Sequence, residues 1–356
     1  MTFIKKEHKG FNKDSYGYFI LCGDIGGTNT ALGIFGVKSS FAELLISFHF
    51  KSAELKGLHE AVNEALIEAK NNGIKITKAC FALPGVLSSG RKSAKITNIK
   101  WNVSEKELLN KTMLKSIILL NDFEAIGYWI NIKNRRSMIK IKKGNKIPKA
   151  AIIVIGAGTG LGKTALIYDS QNKMHRPHPS EAGHSDFPVE SRLEFELLEF
   201  IKKRKKLMHV SYEDVLSGHG LTNIYLFLRK MKRFKETRYT EEIDKCKGLP
   251  ETISKYRKAD KTCRAVFEIF KSFYARFARN SAIDALAYGG VYIAGGIAQK
   301  NSSIFDAKFV KSFEDNPKFR STLRKIPIYL ISENKVGLLG AGFAGAKLFK
   351  ELKKNF

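Results

Sequence analysis

Two segments of this chain share one pattern, in which an apolar strand leads into a glycine-rich turn and a second apolar strand returns. The segments are residues 20–36 and 152–168, and their turns contain Gly26-Gly27-Thr28 and Gly158-Thr159-Gly160. Each pattern predicts a β-hairpin whose tip lacks the Cβ atoms that would keep a ligand away from the backbone N–H groups. The repeat therefore predicts a chain built from two related halves.

Most of the remaining chain alternates strand-like runs with amphipathic helical patterns, which predicts an α/β protein. Residues 58–70 have apolar side chains at helical spacing, and residues 116–120 read as a buried strand that leads into a helix over 123–132. The middle of the chain is predicted to be helical over residues 190–207, 212–233 and 261–288. A length of 356 residues is sufficient for two domains.

A basic segment separates the two halves of the repeat. Residues 133–149 contain eight Lys or Arg residues and no acidic residue, together with Gly144, Asn145 and Pro148. This composition predicts a surface connection or hairpin. We therefore expect residues 1–131 with 332–356 to form a small lobe, and residues 132–331 to form a larger lobe.

The formal net charge of +28 is compatible with polyanion partners but does not select one. No C-x-x-C pair occurs among Cys22, Cys80, Cys246 and Cys263, which argues against a structural zinc site or a disulfide framework. Apolar sequence surrounds Cys22 and Cys80, as expected for buried thiols in a reducing compartment. The sequence lacks an uncharged apolar run long enough to span a membrane, so we expect a cytoplasmic protein without a membrane partner.

The first glycine turn carries the residue types of a phosphate loop. Gly26 and Gly27 would allow close approach of a phosphate, and Thr28 and Asn29 would offer hydrogen bonds to its oxygens. Asp24, at the end of the incoming strand, could hold Mg²⁺ through water. A plain tight hairpin is the alternative explanation of the same residues.

The second turn nearly matches a P-loop but fails at one position, because Ala157 stands where the first glycine is required. A P-loop also opens into a helix, whereas residues 164–168 are β-branched and apolar and read as a returning strand. Neither turn leads into a helix, so a dinucleotide-binding turn is excluded on the same ground. We therefore expect Gly158, Thr159 and Gly160 to form the tip of a second phosphate hairpin.

Several further motifs occur in a fixed order along the chain. They are Leu-Asn-Asp-Phe-Glu-Ala at 120–125, Glu-Ala-Gly-His-Ser-Asp-Phe at 181–187, a Glu-to-Tyr stretch at 213–225, a glycine-rich turn at 289–297, and Thr97-Asn98 followed by Trp101. Together with the two turns, this set resembles the bacterial-type glucokinases of the hexokinase/actin-like ATPase superfamily over about residues 21–348. Ala182 replaces the first glycine of that family's sugar-binding motif.

The resemblance implies a two-lobed actin-like ATPase (ribonuclease H-like) fold with mixed sheets flanked by helices. It further implies transfer of the γ-phosphoryl group of ATP, with Mg²⁺, to the 6-hydroxyl of glucose, the first phosphorylation of glycolysis, by a homodimer. It assigns Asp122 as catalytic base. The implied sugar contacts are Asn98, Asn121, Asp122, Glu181, His184 and Glu213, and the implied adenosine turn contains Gly295 and Gly296.

Simpler explanations exist for individual residues. Asp122 could cap a helix, His184 could be a core histidine, Glu213 could be a first-turn helix carboxylate beside Ser211, and Gly295-Gly296 could be an ordinary strand-to-helix turn. For the whole chain, the alternatives are a kinase of another hexose or a non-catalytic sugar-sensing or polyanion-binding protein. The basic run at 202–206 favours the last, but no nucleic-acid-binding motif accompanies it, so we expect no specific nucleic acid partner.

Overall fold

The computed structural model describes residues 2–8, 10, 12–39, 41–96, 99, 101–132 and 137–352. The chain divides into two compact units. Unit 1 contains residues 1–135, 169–179 and 333–356, and unit 2 contains residues 136–168 and 180–332. Among the described residues, no helix combines the length and the apolar character needed to cross a membrane.

The strands and helices alternate along the chain as the sequence patterns predict. The strands are β1 (Phe3–Glu7), β2 (Tyr18–Ile25), β3 (Asn29–Lys38), β4 (Phe41–Lys51), β5 (Ile76–Leu83), β6 (Ser93–Ala94), β7 (Val103–Ser104), β8 (Ser116–Asn121), β9 (Met138–Lys142), β10 (Ile152–Ala157), β11 (Leu161–Asp169), β12 (Met174–Ser180), β13 (Val291–Ala294) and β14 (Ile328–Ile331). The helices are α1 (Leu58–Asn71), α2 (Glu105–Lys111), α3 (Asp122–Trp129), α4 (Arg192–Lys205), α5 (Gly218–Lys230), α6 (Thr240–Lys245), α7 (Leu249–Tyr256), α8 (Lys261–Asp284), α9 (Gly296–Lys300), α10 (Ala307–Glu314), α11 (Arg320–Lys325) and α12 (Val336–Leu352).

The sheet of unit 1 has the strand order β1-β4-β3-β2-β5-β8. The first repeat forms the antiparallel hairpin of β2 and β3, and β5 and β8 then add in parallel to β2. Apolar side chains from this sheet pack against α1 on one side and α12 on the other. The sheet therefore carries the first glycine turn at the edge where its parallel strands end.

Unit 2 repeats this arrangement. Its sheet contains the order β11-β10-β13-β14-β9, in which β10 and β11 form the second hairpin and β13 and β14 run parallel to β10. Helix α8 buries an aromatic stripe of Phe267, Phe270, Phe273, Tyr274 and Phe277 against this sheet and its neighbouring helices. The expected assignment of these aromatic residues to the core is confirmed, and so are the two related halves.

The basic segment before the second hairpin is not only a connection. Within it, Met138–Lys142 forms the edge strand β9, which pairs antiparallel with β14. The ammonium group of Lys142 is buried because it donates to the carbonyl groups of Leu323, Arg324 and Ile326 at the end of α11. A lysine expected on the surface thus caps a helix, and burial lowers its pKa.

Two other expectations need correction. Residues 169–179, which we placed in the larger lobe, group with unit 1, where Arg176 forms an ion pair with Glu351. The helix predicted from residue 212 begins only at Gly218, because Ser211 forms a β-bridge with Asp186 and residues 213–215 form a turn. Helix α5 is instead capped by the Ser217 hydroxyl group, which accepts from the Gly220 N–H.

Candidate active site

The strand ends of unit 1 place two carboxylates at one edge of its sheet. Asp24, near the end of β2, pairs in register with Ala82 on β5, and Leu83 pairs with Asn121 at the end of β8. Asp122 follows Asn121 directly as the first residue of α3. Because β2 and β8 are separated by one strand and Asp122 lies two residues beyond the level of Asp24, the two backbone positions are about 12 Å apart.

Helix α3 begins directly at the end of a strand because its N-terminus is capped by side chains. The Asn121 Oδ1 atom accepts from the N–H groups of Phe123 and Glu124, and Glu124 Oε2 accepts from the Asn121 N–H. This reciprocal capping box fixes the backbone on both sides of Asp122. The cap is therefore Asn121 and not Asp122, so the capping explanation for Asp122 is wrong.

Capping and a further hydrogen bond use most of the hydrogen-bonding capacity of the Asn121 side chain. Besides the two bonds that its oxygen accepts, its Nδ2 atom donates to the carbonyl oxygen of Gly85 at 3.2 Å. The side chain is almost fully buried, with 9% of its surface exposed. Asn121 thus positions Asp122, and any sugar contact would use the remaining amide hydrogen.

An ion pair between an exposed arginine and a buried glutamate supports the same helix end. The Arg91 Nη2 atom lies 2.7 Å from the Glu124 Oε2 atom, and only 3% of Glu124 is exposed. Arg91 belongs to the loop after β5 and adopts a left-handed backbone conformation, with φ of 58°. The pair links that loop to the start of α3, and hence to the backbone that carries Asp122.

The tip of the first hairpin is tied down by a buried serine. Gly26 N–H donates to the carbonyl of Asn29, which closes the turn. The Ser52 hydroxyl group donates to the Gly26 carbonyl at 2.6 Å, and the Ser52 N–H donates to the Thr28 carbonyl at 2.9 Å. Trp101 in turn donates its indole N–H to the Ser52 carbonyl. The side chains of Thr28 and Asn29 remain exposed, as a ligand-binding tip requires.

The carboxylate of Asp24 lies against the start of α12. A Cβ atom on Gly337 would lie 2.2 Å from Asp24 Oδ2, so only glycine fits there. Burial raises the pKa of Asp24 to about 6. Among the described residues, no side chain forms a hydrogen bond or ion pair with this carboxylate. A partly buried acid without a cation partner suits a site for a metal or its bound water, so the residues present fit Mg²⁺.

In unit 2, the tip of the second hairpin is held by Glu213. Its Oε2 atom accepts from the Leu161 N–H at 2.8 Å, and a Cβ atom on Gly160 would lie 2.5 Å from that oxygen. The Gly158 carbonyl accepts from the N–H of Gly218, so α5 begins beside the same tip. Thr159 is exposed at the centre of the turn. Glu213 lies before α5 and not in its first turn, so the helix-carboxylate explanation is wrong.

The motif at 181–187 joins this cluster through its glycine. A Cβ atom on Gly183 would lie 2.2 Å from the Leu161 carbonyl oxygen, and the Gly183 carbonyl accepts from the Glu213 N–H. Glu181 and His184 flank this contact and are exposed, with 3.8 Å between Glu181 Oε2 and His184 Nε2. His184 is therefore not a core histidine. Ala182 does not need positive φ, so its replacement of glycine leaves the loop unstrained.

The glycine pair after β13 reaches the same edge of the sheet. Gly156 pairs with Ala294, and Gly295 has φ of 93° with its ideal Cβ position 2.6 Å from the Ala157 carbonyl oxygen. Gly296 has open space around its Cβ position, which leaves room for a ligand. The pair is a strand-to-helix turn, as α9 begins at Gly296, and it lies beside the second hairpin tip.

The rejected P-loop interpretation is excluded by Lys163. This residue lies within strand β11, opposite Ile155, and its Nζ atom is 2.9 Å from Asp284 Oδ2. A P-loop lysine would project from the first turn of a helix toward phosphate. Lys163 instead forms a structural ion pair beside the hairpin.

The structure thus forms two clusters from the candidate residues. Unit 1 brings together Asp24, the first tip, Asn121 and Asp122, and unit 2 brings together the second tip, Glu181, His184, Glu213 and the Gly295-Gly296 turn. Asn98 lies outside the described residues. Sequence reasoning missed Ser52 and Arg91, which no local pattern marks, because each acts on residues far away in the chain. Among the described residues, no group of three or more His, Cys, Asp or Glu side chains could hold a metal ion.

Comparison with known proteins identifies relatives over nearly the whole chain. The model of the family described as Glucokinase matches residues 21–348. The glucokinase of Nostoc sp. is 34% identical over 345 residues, covering 92% of this chain and 99% of its own. The glucokinase of Pectobacterium atrosepticum is 31% identical over 328 residues, covering 91% and 96%.

Solved structures agree with the sequence matches. The crystal structure of a glucokinase from an Antarctic psychrotroph has a TM-score of 0.75 and 25% identity, covering 92% of this chain and 99% of that chain. A ROK family glucokinase from Streptomyces griseus, solved with glucose and AMPPNP, has a TM-score of 0.60 at 16% identity, covering 92% and 99%. The expected actin-like ATPase fold is confirmed.

Proposed function

Because this chain belongs to the glucokinase family, we propose that it transfers the γ-phosphoryl group of ATP to the 6-hydroxyl of glucose. The observation that carries the proposal is the placement of Asp122 at the capped start of α3, on the same sheet edge as the first glycine tip. Relatives with glucose and AMPPNP bound support this choice of substrates.

Asp122 is the proposed general base. A sugar hydroxyl group has a pKa far above neutral, so its attack on phosphorus is assisted by a carboxylate that accepts the proton as the new bond forms. The Phe123 N–H already donates to Asp122 Oδ1 at 2.9 Å, and the N-terminus of α3 favours a negative charge there. The sugar oxygen then bonds to the γ-phosphorus, the bond to the β–γ bridging oxygen breaks, and ADP leaves.

The two hairpin tips are the proposed phosphate cradle. Gly26, Gly27, Thr28 and Asn29 of the first tip and Gly158, Thr159 and Gly160 of the second tip would contact the phosphates. The open space at Gly296 would take the adenosine end of the nucleotide. Backbone N–H groups held in place by Ser52 and Glu213 need no rearrangement when the nucleotide binds, which favours transfer.

The proposed sugar ligands are Asn98, Asn121, Asp122, Glu181, His184 and Glu213. A ring of hydroxyl groups presents donors and acceptors at fixed angles, and these side chains supply both kinds of partner. Glu213 Oε2 already accepts from Leu161, so its Oε1 atom is the available acceptor for a hydroxyl group. A sugar would thereby be linked to the second hairpin tip through a single side chain.

Three finer features belong to the same proposal. Asp24 would hold Mg²⁺ through water, and the ion would compensate the charge of the phosphates. The four free cysteines fit a cytoplasmic protein. The proposed reaction is the first phosphorylation step of glycolysis. A homodimer is proposed from the family resemblance alone.

The experiment that tests the function is a coupled assay of glucose 6-phosphate formation with the wild-type protein and Asp122→Asn. We expect kcat to fall by about 10²–10⁴-fold in the variant because the proton acceptor is lost. Glucose affinity, measured by calorimetry, should remain close to that of the wild type. Asp14→Asn, which removes an exposed carboxylate in the same unit, is the matched control and should retain full activity.

The same assay separates the alternatives. A wild-type protein that binds glucose without phosphorylating any hexose would support the sugar-sensing alternative and overturn the proposal. Turnover higher with mannose or fructose than with glucose would retain the chemistry and change the substrate. An active Asp122→Asn variant would remove Asp122 as base.

A further inference from the structure

A cluster of basic side chains occupies one face of the unit 1 sheet. We call Lys6, His8, Ser47, His49 and Lys335 the basic cluster. The Ser47 side chain is fully buried, and its Oγ atom lies 2.9 Å from His8 Nε2 and 3.3 Å from His49 Nε2. The Lys335 Nζ atom lies 3.4 Å from His8 Nδ1. Two imidazoles, a hydroxyl group and an ammonium group therefore converge on one place.

Strand register explains why these side chains meet. Lys6 on β1 is the cross-strand partner of Ser47 on β4, so their side chains lie on the same face. His49 follows Ser47 by two residues and shares that face. Lys335 immediately precedes α12, which packs over this side of the sheet. The basic cluster is thus built from three separate parts of the chain.

The positive charge of the basic cluster is only partly compensated by the described residues, since the Glu333 carboxylate acts to raise the pKa of Lys335 against the effect of burial. Neither Lys6 nor Lys335 has a carboxylate of a described residue within ion-pair distance, and Glu333 accepts from the backbone N–H of Lys335 instead of its ammonium group. Burial and then the neighbouring lysines lower the pKa of His8 and of His49, and burial and then Lys6 lower the pKa of Lys335. An anion at this place would favour the protonated form of each of these three groups.

We propose that the basic cluster is a binding site for a phosphate-type oxyanion, either inorganic phosphate or the phosphate group of a small ester. The ammonium groups would supply charge, and the imidazoles, which the buried Ser47 hydroxyl group holds in place, would supply directed hydrogen bonds. No residue of the basic cluster belongs to a hairpin tip or to the candidate sugar ligands. The proposal is therefore independent of the proposed function.

Part of the basic cluster lies outside the residues that the family model matches. Lys6 and His8 precede the residues matched by the family model, which begin at residue 21. The cluster nevertheless borders the candidate active site, because His49 pairs with Ala31 and Ala31 pairs with Asp24 on the next strand. Asp24 and His49 therefore face the same side of the sheet, under the start of α12.

The test is an NMR titration of the His8 and His49 ring signals with inorganic phosphate, compared with sodium chloride at the same ionic strength. We expect saturable shifts with phosphate only, and an upward shift of about 0.5–1 unit in the pKa of both imidazoles, because an anion favours their protonated forms. A parallel titration with glycerol 3-phosphate distinguishes a site for inorganic phosphate from a site for a phosphate ester. Tighter binding of the ester identifies an ester site, and tighter binding of phosphate identifies a site for the free ion.

Two substitutions test whether phosphate binds at the basic cluster. Lys335→Met should weaken phosphate binding by about tenfold or more, since a charge-assisted hydrogen bond is lost. Lys5→Met is the matched control, because Lys5 lies on the same strand but bonds to Glu68, and it should bind phosphate like the wild type. Imidazole signals that ignore phosphate, or that respond equally to chloride, overturn the proposal. The wild-type titration decides even if Lys335→Met fails to fold.

Discussion

Glu213 Oε2 accepts a hydrogen bond of 2.8 Å from the backbone N–H of Leu161, the first residue of the strand that leaves the second hairpin tip. A side chain that the sequence assigns to the sugar thus also holds the proposed nucleotide loop. The same carboxylate oxygen lies only 2.5 Å from the ideal Cβ position of Gly160, which explains a glycine at that position. In the proposed function, sugar and nucleotide binding would therefore share one residue.

This contact predicts different effects for two substitutions. Glu213→Ala should raise the KM for both ATP and glucose, the former by about tenfold, because the loss of one such bond costs about 1.4 kcal/mol. Glu213→Gln retains an oxygen that accepts from Leu161, so it should raise only the KM for glucose. Steady-state kinetics with each substrate varied make the comparison, and Glu199→Gln on α4 is the control. An unchanged KM for ATP in Glu213→Ala would show that the contact does not order the loop.

Gly340 allows α12 to touch α3, the helix that begins at Asp122. A Cβ atom at Gly340 would lie 1.8 Å from the carbonyl oxygen of Ala125, and backbone atoms cannot move aside as side chains do. Gly340→Ala should lower the free energy of unfolding in urea by about 1–3 kcal/mol and reduce kcat, because α3 must shift.

Gly345→Ala on the same helix is the control for this prediction. The nearest atoms to its Cβ position are side-chain atoms at 3.0–3.4 Å, which can adjust. Its loss of stability should be smaller and its kcat close to that of the wild type. Equal effects of the two substitutions would argue against a special role for the contact with Ala125.

The buried carboxylate of Asp24 predicts a conflict between stability and activity. Its pKa is about 6 in the folded protein and near 3.8 when exposed, so between these pH values the folded state binds more protons than the unfolded state. Stability therefore falls as the pH rises through this window, and the penalty persists at pH 7.5. Asp24→Asn should stabilise the protein at pH 7.5 by about 1–3 kcal/mol, while lowering kcat.

Thermal unfolding at two pH values checks this expectation. The difference between Asp24→Asn and the wild type should be present at pH 7.5 and should nearly vanish at pH 4, where the native carboxyl group is protonated. A variant that is less stable than the wild type at pH 7.5 would mean that the ionised carboxylate is favourably paired.

We expect that Lys163 does not contribute to nucleotide binding. Its ammonium group pairs with Asp284, whose side chain is 70% exposed, so the pair contributes little stability. Lys163→Met should leave the KM for ATP within about twofold of the wild type, unlike the loss expected for a P-loop lysine. Asp284→Asn is the matched partner variant and should behave alike. A large rise in the KM for ATP would place Lys163 at the phosphates.

Local patterns in the sequence determined the two hairpins, the α/β alternation, the aromatic core stripe on α8 and the family. Strand alternation, helical spacing and glycine turns depend on residues within a few positions of each other, so they are readable without the fold. The position of Asp122 at a strand-to-helix junction followed in the same way, because the junction is encoded in six consecutive residues.

Only the tertiary structure decided which groups those local elements bring together. Leu161 and Glu213 are 52 positions apart, and Gly337 meets Asp24 only because α12 packs on the sheet of unit 1. The sequence did not predict strand β9, because its lysines are typical of surface residues. In the structure, Lys142 is buried and donates to carbonyl groups at the end of a distant helix. Contacts of this kind form only when separate elements pack together. Hydrophobic periodicity within one element does not specify which distant group each polar side chain will contact.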